Sequence, residues 1–264
     1  MNATNEPTNQ VVRTSIVLFL VASLVHIVLM HVAYFILVDT FQFPEILRAP
    51  TVDMLAAYTR QLDINRFAYY VFTLTGFTFI LMHLFLYSGF ENRGPLAEVG
   101  RTFAVLAGLL QALGFGRWVF LVPWIADVVQ TNDPEQQSAL LLLEAFHRYA
   151  GILAGENLAF VAHGIAGAAF SVHMLGEKRI APVFAYLGIP IHALIGLYSL
   201  EQFGGSLAIL GPANVVFQVL WLAWLLFTAI YLYRSRGNNT AIPGPLGYSL
   251  MSVTLAVMLF AALA

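Results

Sequence analysis

The fold class this sequence predicts is all-α, a polytopic transmembrane bundle of six to seven spans, and three observations carry it. Of 264 residues, 59% are hydrophobic and only 10% are charged. Soluble domains carry roughly a quarter charged residues, so a water-facing surface of this size could not be built from so few. The apolar residues also fall into runs of about 20, the length that crosses a hydrocarbon core. Finally, no composition shift along the chain marks a soluble-domain boundary.

Residues 1–14 read as a polar cytoplasmic tail, and 15–264 as one transmembrane helical domain. The first apolar run, 15–38, is longer than the roughly 7–15-residue core of a cleaved signal and lacks a small-residue cleavage site. It is expected to stay as a signal anchor. Further spans are expected at 66–90, 102–127, 152–175, 181–200, 212–234 and 246–264. The last follows the break at Pro243-Gly244-Pro245. Most connections are short; 39–65 and 128–151 are the long ones. Within the second of these, 138–150 is apolar but too short to span alone, which suits an interfacial helix or an extension of the fourth span.

Basic residues near helix ends set orientation. Arg13, Arg93, Arg101, Lys178, Arg179, Arg234 and Arg236 lie on the N-terminal side, against Arg48, Arg60, Arg66 and Arg148 opposite. Seven against four favours a cytoplasmic N-terminus and an external C-terminus. The net charge of -2 offers nucleic acid no basic patch, and with no cysteine there is neither a disulfide nor a thiolate ligand.

Charged groups inside a span cost about 2.5–3.5 kcal/mol each and so face the bundle, usually paired. Arg117 sits inside the third span and Glu156 inside the fourth. At about 1.5 Å per residue they lie roughly 23 and 28 Å from the cytoplasmic ends, close enough to pair. Helix packing alone accounts for such a pair as well as function does. Pro123 leaves the Val119 carbonyl without its helical donor. In the fourth span Gly151, Gly155, Ala159, His163 and Gly167 form a row at four-residue spacing, where another backbone can come close. Glu156 and His163 are seven apart and share a face. His147 is nine before Glu156, half a turn away on a regular helix, and joins the same site only if the helix bends at Gly151 or Gly155. Trp118 beside Arg117 could stack on its guanidinium or on a ligand, although core filling explains it as well.

His26, His163 and His192 fall near mid-span, and a haem held by imidazoles is the alternative they raise. Single histidines bonding across helices are the bland reading. No spacing is metal-specific, so no metal ligands and no resident cofactor are predicted. The only lysine, Lys178, is in a loop, which removes a retinal Schiff base. Phosphate-binding glycine loops, a Gly-x-Ser-x-Gly elbow and broken helices in matching halves are all missing.

The stretch Gly116-Arg117-Trp118-Val119-Phe120-Leu121-Val122-Pro123, then Phe146-His147-Arg148-Tyr149-Ala150-Gly151 and Gly155-Glu156, resembles a bacterial multi-pass membrane family known as domain of unknown function 4386. The likeness is concentrated in residues 107–170. It implies a bundle of six to seven helices in a bacterial inner membrane and singles out Arg117, Trp118, His147 and Glu156, but it supplies no chemistry.

The expectation is therefore a ligand-binding site between the third and fourth spans, lined by Arg117, Trp118, His147, Glu156 and His163. Arg117 would hold an anionic or carbonyl group, with Glu156 orienting it and His147 giving or taking a proton. The partners expected are the lipid bilayer and a lipid or small apolar ligand. Whether the site is enzymatic stays open. The alternatives are an accessory subunit with a membrane-protein partner, and the haem-bearing redox protein.

Overall fold

The structure, a computed structural model, describes residues 6–131 and 135–235. Among them the chain is helical throughout, with no strand. The long helices are α1 (Glu6–Phe41), α3 (Leu62–Gly89), α4 (Pro95–Gln130), α6 (Ala159–Met174), α7 (Pro182–Leu197) and α8 (Leu210–Ser235). The shorter α2 (Thr51–Arg60) follows a 3-10 turn at Glu45–Arg48, and α5 (Gln136–Phe146) runs through a π-helix, His147–Leu158, into α6.

Six stretches are long and apolar enough to cross a membrane: Gln10–Phe41, Leu62–Gly89, Pro95–Gln130, Gln136–Met174, Pro182–Phe203 and Gly205–Ser235. Each overlaps one of the first six expected spans, and each extends beyond it at one end or both. The expected span 246–264 lies outside the described residues. The apolar 138–150 stretch is the extension of the fourth span.

The described residues form two compact units. The first comprises 26–77 and 108–159; the second, 6–25, 78–107 and 160–235. At the centre of the first unit is Trp118, 1% exposed. Tyr69 stacks on it at 4.9 Å and 12°, while Phe41 and Tyr58 close its sides at 5.1 and 5.2 Å. Large rings meeting in offset or edge-on geometry contribute beyond their buried area. Trp118 is thus a core filler.

Helix α2 is not a span but an amphipathic piece that turns Met54, Leu55, Ala57 and Tyr58 inward. Tyr58 is anchored through its hydroxyl, which donates to the Trp118 carbonyl. Its phenol titrates above the ordinary 10.0, chiefly because burial disfavours the phenolate. Asn65, fully buried, donates to the Tyr58 carbonyl at 2.9 Å and accepts from the Thr40 hydroxyl at 2.6 Å. In this way the 42–61 connection is fastened onto α1, α3 and α4 as an ordered cap.

The glycine row does bring a backbone close. A Cβ on Gly114 would stand 2.7 Å from the Gly155 Cα, so α4 and the π-helix meet main chain to main chain.

The second unit packs α6, α7 and α8 at an apolar, imidazole-rich centre. His163 lies edge-on to Phe79 at 4.7 Å and to Trp221 at 4.6 Å, and its ring centre is 5.7 Å from that of His192. His192 bonds back to the Gly188 carbonyl at 2.7 Å and stands edge-on to Trp224 at 4.7 Å.

Candidate functional site

Arg117, Trp118, His147 and Glu156 all belong to the first unit, and three different elements position them. Arg117 and Trp118 come from α4, one turn after the Gly114 contact. His147 and Glu156 come from the π-helix. An i→i+5 ladder widens each turn to roughly 4.4 residues, so a nine-residue separation becomes about two full turns. The two side chains consequently share a face. The expected bend at Gly151 or Gly155 is replaced by a change of helix type.

The third element is the cap, and it corrects the expected ion pair. Glu156 is met by Arg48, with Nη2 to Oε2 at 2.7 Å and Nη1 to Oε1 at 3.4 Å. The contact at Glu156 is thus made by Arg48, where the sequence reading placed Arg117. The physical reason is reach: Arg48 enters from the 3-10 turn, and the depth comparison along spans omits a cation from a connection. Next to it, the Leu47 carbonyl lies 3.1 Å from His147 Nε2, and the Thr51 hydroxyl donates to Glu144. Glu144 also takes Arg148 Nε at 2.6 Å.

Arg117 is 8% exposed. Its Nη1 donates to the Gly114 carbonyl, its Nη2 lies 3.3 Å from His147 Nδ1, and its Cζ stands 5.2 Å from the Trp118 ring centre. A guanidinium has only donors, so Nδ1 must accept; a carbonyl has only lone pairs, so Nε2 must donate. His147 therefore carries its proton on Nε2 and is neutral in this arrangement. It links the cap to Arg117. A Cβ at Gly151 would stand 2.5 Å from the Arg117 Nη2, so a larger residue there would displace the guanidinium.

Buried around this centre is Tyr69, 0% exposed, whose hydroxyl makes no hydrogen bond among the described residues. Sequence reasoning passed over Tyr69 and Arg48. A signal for Tyr69 existed: Asn65, Tyr69 and Phe72 recur at helical spacing on one face of α3. For Arg48 there was none, since its partner is 108 residues away.

The arrangement is a buried guanidinium, a phenol and a neutral imidazole behind an ion-paired cap. A family model described as Domain of unknown function (DUF4386) matches residues 13–229. The chain belongs to this family. Neither curated proteins nor solved structures give any match. Within the DUF4386 match lie both units' centres and every candidate residue.

The remaining candidates fall elsewhere. His163, expected beside Glu156, belongs to the second unit together with His192, and His26 is buried on α1 in the first. Among the described residues, no three His, Asp or Glu side chains gather as a metal-holding group.

Proposed function

We propose that this protein is a membrane-embedded binding protein whose site, in the first unit, holds the anionic or carbonyl group of a lipid or small apolar ligand on Arg117. The observation that carries the reading is the company Arg117 keeps. A buried cation normally has a carboxylate in contact, because an uncompensated charge away from water costs several kcal/mol. Arg117 instead meets a carbonyl and a neutral imidazole, and these use two of its N–H donors. The rest are left for an acceptor. Glu156, held by Arg48, keeps the cap in place over the site, and His147 orients Arg117.

The family resemblance and the distribution of basic residues support a bacterial inner membrane with the N-terminus cytoplasmic. The test is native mass spectrometry of the protein released from mild detergent, wild type beside Arg117→Gln, with thermal melting as a control on folding. Wild type should retain an adduct that the folded variant loses. Equal retention by a folded Arg117→Gln protein would overturn the assignment.

A further inference from the structure

The end of the second unit where α3 finishes and α4 begins carries another polar cluster, built on one aromatic ring. Tyr87 lies in the last turn of α3, and the guanidinium carbons of Arg93 and Arg101 stand 5.2 and 5.0 Å from its ring centre. Both distances are inside the roughly 6 Å over which an aromatic face attracts a cation. The Tyr87 hydroxyl donates to Glu98 Oε1, and Arg101 Nη2 donates to Glu98 Oε2 at 2.8 Å. One tyrosine thus gathers two guanidiniums and a carboxylate whose oxygens are both engaged. Arg93 is exposed and meets no carboxylate. Among the described residues its contacts are the Ser88 carbonyl, 3.2 Å from Nη2, and the Tyr87 ring.

The acids nearby do not answer Arg93. The α3–α4 and α6–α7 connections and the first turns of α4 hold Arg93, Arg101, Lys178 and Arg179 against Glu91, Glu98 and Glu177. Glu91 pairs with Arg179, and Glu177 accepts the backbone N–H groups of Glu91 and Asn92, each at 3.1 Å. A guanidinium has five N–H donors, and the printed bond to Ser88 uses one of those on Arg93. We propose that Arg93 and Arg101, gathered on the Tyr87 ring, bind the phosphate group of an anionic phospholipid.

Chemistry and depth both select this occupant. A phosphodiester shares its negative charge over two free oxygens, which can accept from two guanidiniums at once. A zwitterionic headgroup adds an ammonium that would face both cations, while Glu98 already accepts on both oxygens. One apolar span ends at Gly89 and the next begins at Pro95, so the cluster stands at the edge of the hydrocarbon, the depth of lipid headgroups. Basic side chains between spans at that depth recognise anionic headgroups. Leu81 on α3 and Leu106 on α4 lie roughly 9 and 8 Å into the apolar stretches from Tyr87 and Arg101. They are 46% and 44% exposed, which gives acyl chains a surface below the headgroup. A lipid needs such a surface, and a soluble phosphate does not.

The test is a competition in dodecyl maltoside between equimolar dioleoylphosphatidylglycerol and dioleoylphosphatidylcholine. The bound ratio is read by native mass spectrometry, with thermal melting as the control on folding. Wild type should hold the phosphatidylglycerol at least fivefold over the phosphatidylcholine, and millimolar inorganic phosphate should leave it in place. Arg93→Gln should lower that preference about fivefold, the effect of one basic side chain at a charged lipid surface. Tyr87→Leu keeps both arginines but removes the ring that gathers them, and should lower it comparably. Lys178→Gln removes the same charge from the α6–α7 connection and should leave the preference unchanged. The site is overturned by equal binding of the two lipids to wild type, by an undiminished preference in folded Arg93→Gln or Tyr87→Leu protein, or by an equal loss in Lys178→Gln. Displacement by inorganic phosphate would overturn the lipid as its occupant.

Discussion

Alanine at Gly114 and alanine at Gly116 are the same substitution two residues apart in one helix, and the structure predicts different results for them. Both variants gain the same intrinsic helix propensity, about 0.8–1.0 kcal/mol over glycine. At Gly116 nothing opposes the gain, because the nearest neighbour of a new Cβ is Thr73 Cγ2 at 4.0 Å. At Gly114 the new Cβ would stand 2.7 Å from Gly155 Cα and 3.5 Å from the Ala150 carbonyl oxygen. Carbon atoms settle at about 3.5–4.0 Å. Helix α4 and the π-helix must therefore part by roughly 1 Å, and no flexible side chain is available to yield instead. Such overpacking costs about 1–3 kcal/mol. Because propensity cancels between the variants, the whole of that cost appears as their difference. At about 2–4 °C per kcal/mol for a chain of this size, Gly114→Ala should melt roughly 2–12 °C below Gly116→Ala. Intrinsic tryptophan fluorescence in mild detergent reads the melt, with Trp118 buried beside the contact. Equal melting temperatures, or a more stable Gly114→Ala protein, would show that the two backbones do not meet there.

Other substitutions separate satisfied from unsatisfied hydroxyls. Thr228 Oγ1 is fully buried with no partner among the described residues, so Thr228→Val should raise the melting temperature by the equivalent of about 1 kcal/mol. Thr40→Val should lower it, since it breaks the 2.6 Å bond to Asn65. Tyr58→Phe removes the bond to the Trp118 carbonyl and should cost about 1–2 kcal/mol at neutral pH. Its pH dependence has a definite sign. The folded-state phenol titrates above its unfolded value, so its contribution is complete below the ordinary 10.0 and is lost as pH rises toward the folded value. Wild type should therefore lose stability above about pH 10 by more than Tyr58→Phe does, as a denaturation series at alkaline pH would show.

Much of this fold was legible because lipid enforces a simple rule: every backbone polar group must be satisfied inside its own helix. Runs such as 66–90 and 212–234 could be read directly for that reason. Arg117 and Glu156 stood out for the same reason, as charges where none is affordable. What could not be read was the pairing. The helical wheel assumed a regular ladder through 147–158, which set His147 opposite Glu156, and the depth comparison considered only residues inside spans, which hid Arg48. The cap was invisible for a related reason. Its fastenings, Tyr58 to Trp118 and Leu47 to His147, join positions 60 and 100 residues apart, and no local pattern encodes contacts of that range. Tyr69 looked like one more aromatic among many, and its stack against Trp118 shows only in the folded chain.

The π-helix also bears on how relatives of this chain should be compared. Plotted at 100° per residue, His147 and Glu156 fall about 180° apart; on the wider ladder they come within roughly 20°. An i→i+5 stretch is in effect an α-helix carrying surplus residues. Deleting one residue between 148 and 155 would let part of the ladder revert to i→i+4 bonding instead of breaking the helix. Single-residue gaps among family members are expected to collect in this interval, and an alignment that forbids them would pair buried positions with lipid-facing ones on either side of it.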